Sequence, residues 1–396
     1  MRQPATAGDR PRRGRLSISQ QAFLALVFLA ILTLWAPGLL PAALFLCGTF
    51  LLTIVELFEE RRIRASLLLV LTLPLWELLQ ILFHWPVYVE PARFGLLASL
   101  SYGCVVFLVT GIPGERVEAV RLAMLWFAFL VAVEAILQRV SGGNIFWTFE
   151  PSDARGYFMG PILYHNHWAV FVEISLPVAI YHAVGTKTGS LWLYSTIGAV
   201  LYASVVISAS RSGAIICSLQ MVAVPMLVAY RHRLREGSIK AVAPLAGALV
   251  LCTLIVGPEV LLERLQSDPT TGRIELDRSS LVMIRDHMWR GIGIGGWPVV
   301  YPQFATFGDG TFVNQAHNDW LQWFAEGGIF YGGAFLGLAG ISWRQAWRFP
   351  WAAGVPAVFC QALVDYPFSR PALAAWTFTM FGLACGEVVS RPKSTH

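Results

Sequence analysis

SLWLYSTIGAVLYASVVISASRSGAIICSLQMVAVPMLVAY, residues 190–230, decides the fold class. It contains two apolar runs, 190–209 and 212–230, each close to the ~20 residues that carry a helix across the hydrocarbon core of a bilayer. Neither run alternates apolar and polar residues as a strand of an outer-membrane barrel must. The pair therefore reads as a helical hairpin in a membrane, with SASRSG as its turn. Arg211 closes the first run at the membrane boundary, where a charge is costly, so it is expected to face a polar cavity and to have a partner. Glu134 and Glu173 are the candidate partners, and a buried structural ion pair is the alternative to a functional role.

Outward from this hairpin the same kind of window recurs at about 19–36, 40–58, 65–83, 93–112, 121–139, 165–184, 241–257, 319–343, 350–366 and 371–389. The expectation is an all-α, polytopic transmembrane helical bundle of about twelve spans with one large structured outer (periplasmic) loop. Helices 1–9 with a cytoplasmic N-terminus occupy 1–257, the loop 258–316, and helices 10–12 with a cytoplasmic C-terminus 317–396. Composition agrees: of 396 residues 56% are apolar and 13% charged, about half the charged share of a soluble domain, which excludes a soluble enzyme. A mean hydropathy of +0.59 excludes disorder.

The net charge of +5 comes from short basic clusters between apolar runs, so the partner it implies is the bilayer and not nucleic acid. Of the 29 Lys and Arg, 19 fall in segments assigned to the inside and 10 outside, as the positive-inside rule requires. The Arg-rich start precedes an apolar run too long for a signal peptide and reads as an uncleaved first helix. The six cysteines lie unpaired in apolar runs and behave as small hydrophobes.

The polar motifs gather on one side. In QAHNDWLQWFAEGG (315–328), Asp319 and Gln322 have capping-box spacing, which predicts a helix start there. His317 then lies just ahead of a positive helix end that disfavours the imidazolium. Glu326 falls on the opposite helical face from His317, so it and Gly327 are read as structural, with Glu173. GPILYHNHWAVFVE (160–173) puts His165, Asn166 and His167 at the outer start of the sixth span. GRIELDRSSLVMIRDHMWRG (272–291) carries Arg273 and Arg278, whose planar guanidinium forks suit phosphate oxygens; the alternative is a face against lipid headgroups. Its LVMIRDHMW portion predicts a short interfacial helix, followed by the turn-rich GIGIGGW. No HExxH occurs and no carboxylate or Cys stands at ligand spacing, so neither a metal nor another cofactor is expected. Gly291, Gly293 and Gly296 match GxGxxG without the strand that motif needs, and Gly333 and Gly337 make a GxxxG helix contact.

SRSG (210–213), the loop run 272–297 and AHNDWLQWFAEGG (316–328), with GPILYHNHWA upstream, together resemble the O-antigen ligase and O-antigen polymerase superfamily of bacterial inner membranes. The resemblance implies a metal-independent, inverting glycosyltransferase whose donor is a glycan on undecaprenyl pyrophosphate. Arg211 and Arg273 would match its pyrophosphate-binding arginines and His317 its catalytic histidine. Asp277 and Met288 stand where the family commonly has an aromatic and a proline. Asn318, Asn166, His165, His167, Arg278 and Arg155 are then the candidate substrate contacts, and Tyr157 and Tyr164 candidate sugar platforms. The acceptor would be lipid A-core for a ligase or a growing glycan for a polymerase; the compact chain with one dominant outer loop favours the ligase. The rival of another class is a twelve-span secondary transporter using Glu77, Glu134 and Glu173. Its key groups would lie near the midplane, whereas the polar motifs gather at the outer boundary, which favours an enzyme facing the periplasm.

Overall fold

Lipid offers no partner to a backbone N–H or C=O, so apolar runs of this length satisfy themselves as helices. The computed structural model describes residues 16–35, 39–58, 65–141, 159–185, 188–232, 270–306 and 312–390. The helices of eight residues or more are α1 (Ile18–Thr33), α2 (Leu40–Leu57), α3 (Ala65–Leu82), α4 (Val89–Thr110), α5 (Gly114–Val140), α6 (His165–Gly185), α7 (Thr188–Ser208), α8 (Arg211–His232), α9 (Thr270–Asp286), α10 (Asp319–Arg348), α11 (Gly354–Gln361) and α12 (Pro371–Ser390). Among the described residues there is no strand, only an isolated bridge between Met159 and Ile162.

Eight of these helices, α2 to α8 and α10, are long and apolar enough to cross a membrane, while α1 and α12 contribute shorter apolar helices. The expected span at 241–257 lies outside the described residues. The window 350–366 is not one straight helix. It forms a 3-10 turn at Pro350–Ala352 and then the eight-residue α11, about 12 Å long at ~1.5 Å per residue. Gly354 lets this segment pack closely on α6, because a Cβ there would stand 2.5 Å from the Ile174 Cα. The expected interfacial helix also differs, since α9 starts at Thr270 and stops at Asp286, before the motif's HMW.

Helix α6 is apolar on every side and buried almost throughout, with Trp168, Phe171 and Ile174 among its wholly buried side chains, so it is the axis of the bundle. Helix α2 is the reverse: Leu44, Leu51, Ile54 and Val55 are exposed, a surface that suits lipid.

Polar contacts collect the helix ends into two sets. In one, Ser17 forms a capping box with Gln20 at the start of α1 and donates to Glu56 at the end of α2 (2.8 Å), as does the Ser19 hydroxyl. Gln20 donates to the Gly111 carbonyl after α4 (3.1 Å), and the ends of α8 and α10 meet where Arg231 donates to the Arg348 carbonyl (3.3 Å). In the other set, the α3–α4 turn joins the loop after α9 through the Val87 N–H and the Ile292 carbonyl (3.1 Å). Ser210 joins the start of α6 through Asn166 (2.7 Å), and the start of α10 joins α9 where Asn318 donates to Asp277 (3.3 Å). This second set holds the polar motifs.

Helix α10 is broken at Gly328 (φ 67°, ψ −167°). The orphaned groups are satisfied by protein. The carbonyls of Ala325 and Glu326 accept from the N–H groups of Ile292 and Gly293 (3.0 and 2.9 Å), and Gly327 accepts from the Trp76 indole (2.6 Å). The Ile329 N–H donates to the Met288 carbonyl (2.8 Å). A Cβ on Gly328 would stand 2.7 Å from the Trp289 carbonyl oxygen, and one on Gly291 would overlap the Glu326 carbonyl. These glycines thus let GIGIGGW dock on the break, while Gly337 of the GxxxG pair approaches Leu69 of α3 and Gly333 meets nothing within 4 Å. Gly328→Ala is expected to lower the melting temperature in detergent, since this backbone region alone costs about 1–3 kcal/mol for a non-glycine residue. An unchanged melting temperature would contradict the docking.

Candidate active site

Two helix starts and one loop build the site. At α10 the chain turns at His317 with φ 56° and enters the helix through Asn318, whose side-chain oxygen accepts from the Leu321 N–H (3.2 Å). Asn318 and not Asp319 is therefore the cap. Gln322 accepts from the Ala316 N–H (3.0 Å), bracing the residues before the turn and not closing the expected capping box. Asp319, freed from capping, is wholly buried and clamps another segment. Its carboxylate accepts from the Phe368 N–H (2.7 Å) and the Ser369 hydroxyl (2.8 Å), and its own N–H points at the carbonyls of Ala362 (2.9 Å) and Asp365 (3.1 Å).

That clamp brings Asp365, Tyr366 and Arg370 to His317. The Tyr366 ring stands edge-on to His317 (5.0 Å between centroids) and to His167 (4.8 Å). Tyr164 lies nearly parallel to Tyr366 at 6.2 Å and contacts His165 (4.5 Å) and His167 (4.9 Å). Arg370 donates to the Tyr366 hydroxyl (3.2 Å) and sits over its ring (4.9 Å), and His167 Nε2 is 3.9 Å from an Asp365 oxygen. Arg273 enters from α9 and acts electrostatically on Tyr164, His317 and Asp365. Asp277, one helical turn after Arg273, is the group that holds Asn318.

Arg211 begins α8. Helix α7 stops at Ser208, Ala209 takes φ 60°, and the flanking serines are both anchored. Ser210 donates to Asn166 (2.7 Å), which donates to the Tyr164 hydroxyl (3.3 Å), while Ser212 accepts from Gln361 at the end of α11 (2.8 Å). Arg211 is thereby held between the start of α6 and the end of α11.

The electrostatics follow from this crowding. Burial pushes the His317 imidazole down to about 4, with Arg273 and Arg370 adding to the effect. Burial pushes Asp365 up to about 7, against the opposing pull of the Tyr366 N–H and the same two arginines. The Tyr164 phenol goes up to about 12, chiefly through burial. The result is an imidazole that is neutral over the physiological range, beside guanidinium groups that favour an anion.

Other candidates stand apart from this cluster. Arg278 is exposed and pairs with Glu275 one turn earlier (2.9 Å). Glu326 accepts from the Trp297 N–H (3.1 Å) and Gln322 (3.3 Å), so it holds GIGIGGW against α10, and Glu173 is wholly buried within α6. Arg155 and Tyr157 lie outside the described residues. Among the described residues no group of three or more His, Cys, Asp or Glu is arranged to hold a metal ion. Sequence reading missed Asp365, Tyr366 and the site role of Arg370; the signal available was VDYPFSR (364–370), a charged and aromatic stretch that starts inside the end of the 350–366 window.

A search of curated proteins finds no match to the chain. Residues 196–336, which include Arg211, Arg273 and His317, do match the family model described as O-antigen ligase, and this match supports the chain as a member of the O-antigen ligase and polymerase superfamily.

Proposed function

We propose that the protein transfers a glycan from an undecaprenyl-pyrophosphate carrier to an acceptor hydroxyl at the periplasmic face of the bacterial inner membrane, as an O-antigen ligase acting on lipid A-core. The observation that carries this reading is a neutral His317 packed on the Tyr366 ring that Arg370 covers, within the electrostatic reach of Arg273, at the bundle end that also holds Arg211. Guanidinium forks there suit the dianionic leaving group and offset the charge that develops as the anomeric C–O bond breaks. His317 takes the proton of the acceptor hydroxyl as its oxygen attacks the anomeric carbon from the opposite face, with inversion. The pyrophosphate leaves with the bonding pair, so no metal is needed to balance the step.

A transporter would use a broken helix to bind its cargo, and α10 is broken. Its freed groups, however, are taken by Trp76 and by the loop after α9. The break thus anchors a loop, which favours the enzyme.

Purified protein in proteoliposomes, given a lipid-pyrophosphate glycan with lipid A-core, is expected to yield the joined glycolipid by mass analysis. Lengthening of the carrier-linked glycan alone would assign the polymerase, and neither product would reject glycosyl transfer. Topology is checked separately with Arg278→Cys on exposed α9. An impermeant thiol reagent is expected to label it in intact spheroplasts, and labelling only after lysis would place the site on the wrong side.

A further inference from the structure

Away from the His317 cluster, a pocket of about 490 Å³ opens beside the end of α3 and the turn after α9. Its floor is rigid and aromatic. Trp85 stacks on Phe83 (5.3 Å) and packs on Trp76 (5.8 Å), and the chain reaches it through a tight turn in which His84 has φ 55°. Its rim is cationic: Arg290 lies over the Trp85 ring (5.2 Å), and its backbone is pinned where Gln80 donates to its carbonyl (2.6 Å). Arg285 completes that rim, His287 also lines the pocket, and Asp286 is the one carboxylate among the lining residues, 4.0 Å from the Arg285 guanidinium. Trp289 is 66% exposed at the mouth, and exposed Leu82 and Phe330 continue the apolar surface away from it.

This pocket is separate from the transfer site. Arg273 stands at the start of α9 and Arg285 near its end, so they are about 18 Å apart along the helix at ~1.5 Å per residue. Arginine forks recognise phosphate oxygens, and tryptophans settle at the headgroup level of a bilayer. A pocket with both, beside lipid-facing side chains, fits an amphiphile whose head is anionic and whose chains lie along the bundle.

We propose that Arg285, Arg290 and Trp85 bind the phosphate-bearing headgroup of a membrane lipid at this second site, with Trp289 at its mouth. Two sources carry that chemistry, a phosphorylated glycolipid acceptor and a bilayer phospholipid. Binding itself does not depend on the glycosyl-transfer reading; only the identification of the glycolipid as acceptor rests on it.

The test uses the full chain in phosphatidylcholine nanodiscs, titrated with lipid A or with phosphatidylglycerol and read by native mass spectrometry. The variant is Arg285→Ala with Arg290→Ala, both on the surface, with melting temperature as a folding check. Loss of two charge-assisted contacts is expected to weaken lipid A binding about tenfold or more. A second variant, Arg290→Lys, keeps the charge and loses the fork, and is expected to fall between. If both lipids weaken equally the site takes lipid phosphate in general; if lipid A alone weakens, it is a glycolipid site. Wild-type protein that binds neither lipid above phosphatidylcholine, or binding that the double variant leaves intact, overturns the proposal. Lipid A binding without any transfer would leave this site standing and remove the proposed reaction.

Discussion

Arg273→Ala is expected to lower glycan transfer by about 10²- to 10³-fold while the protein still inserts and melts as a folded chain, because removal of one preorganised donor to a developing anion costs about that much. Arg211→Ala is expected to behave likewise. Lysine at either position should rescue little, since a point charge lacks the bidentate fork. The internal control is Arg278→Ala on the same helix: it removes an equal charge, but its side chain is exposed and paired with Glu275. Near-normal turnover of both Arg211→Ala and Arg273→Ala at saturating donor would remove the pyrophosphate role. Because Arg273 also acts electrostatically on Tyr164 and Asp365, the melting temperature is read alongside, and a collapse there would assign Arg273 to structure.

The helices were legible because in a membrane length and hydropathy do most of the deciding. The starts at His165, Arg211 and Asp319 fall within a residue of the sequence windows, since each follows a polar turn that ends the preceding segment. The break at Gly328 was not legible. Two glycines in an apolar run read equally well as helix-packing positions, and only the loop docked on them shows that φ 67° is required. For the same reason α9 was read as a short interfacial helix: its first half is charged, and its face toward Asn318 is set by one contact from Asp277.

The site was legible where its residues sit beside helix starts and hidden where tertiary contacts deliver them. His317, Asn318 and Arg211 follow from local chemistry, a cap or a charge at a membrane boundary. Asp365, Tyr366 and Arg370 reach His317 because Asp319 gives up capping to Asn318 and holds the Phe368–Ser369 backbone and hydroxyl instead. Nothing in the local sequence of 362–370 announces that exchange. The physical consequence is that the arginine field on His317 is stronger than the motif at 315–328 suggests, because both Arg273 and Arg370 act on it.

That field bears on the remaining large effect. Loss of His317 is expected to depress turnover by about 10²- to 10⁴-fold, the usual contribution of a general base, with donor binding largely retained. Alanine is a poor probe by itself, because His317 has φ 56°, a left-handed conformation that His, Asn and Asp adopt more readily than other residues with a Cβ. Asparagine tolerates that conformation and has no basic nitrogen, so His317→Asn separates lost chemistry from strain. The base works when neutral, that is, above its pKa. Held down at about 4 by burial, Arg273 and Arg370, it stays neutral across the physiological range. Activity measured as kcat/KM should then fall only as pH drops toward 4, and should not collapse above neutrality. A bound dianionic donor offsets the two arginines and raises that pKa, so the acid limb of kcat is expected at higher pH than that of kcat/KM. Asp365, pushed up to about 7, is a second source of pH dependence, and Asp365→Asn identifies any limb it contributes. Chelators are expected to leave turnover unchanged. Wild-type activity in His317→Asn would exclude the histidine from the chemistry, whereas chelator inhibition reversed by zinc would replace the base with a metal. A crippled but folded His317→Asn protein that still binds donor is the expected result, because the neutral imidazole lies within reach of guanidinium groups that can hold the leaving group and can itself take the proton of the incoming hydroxyl.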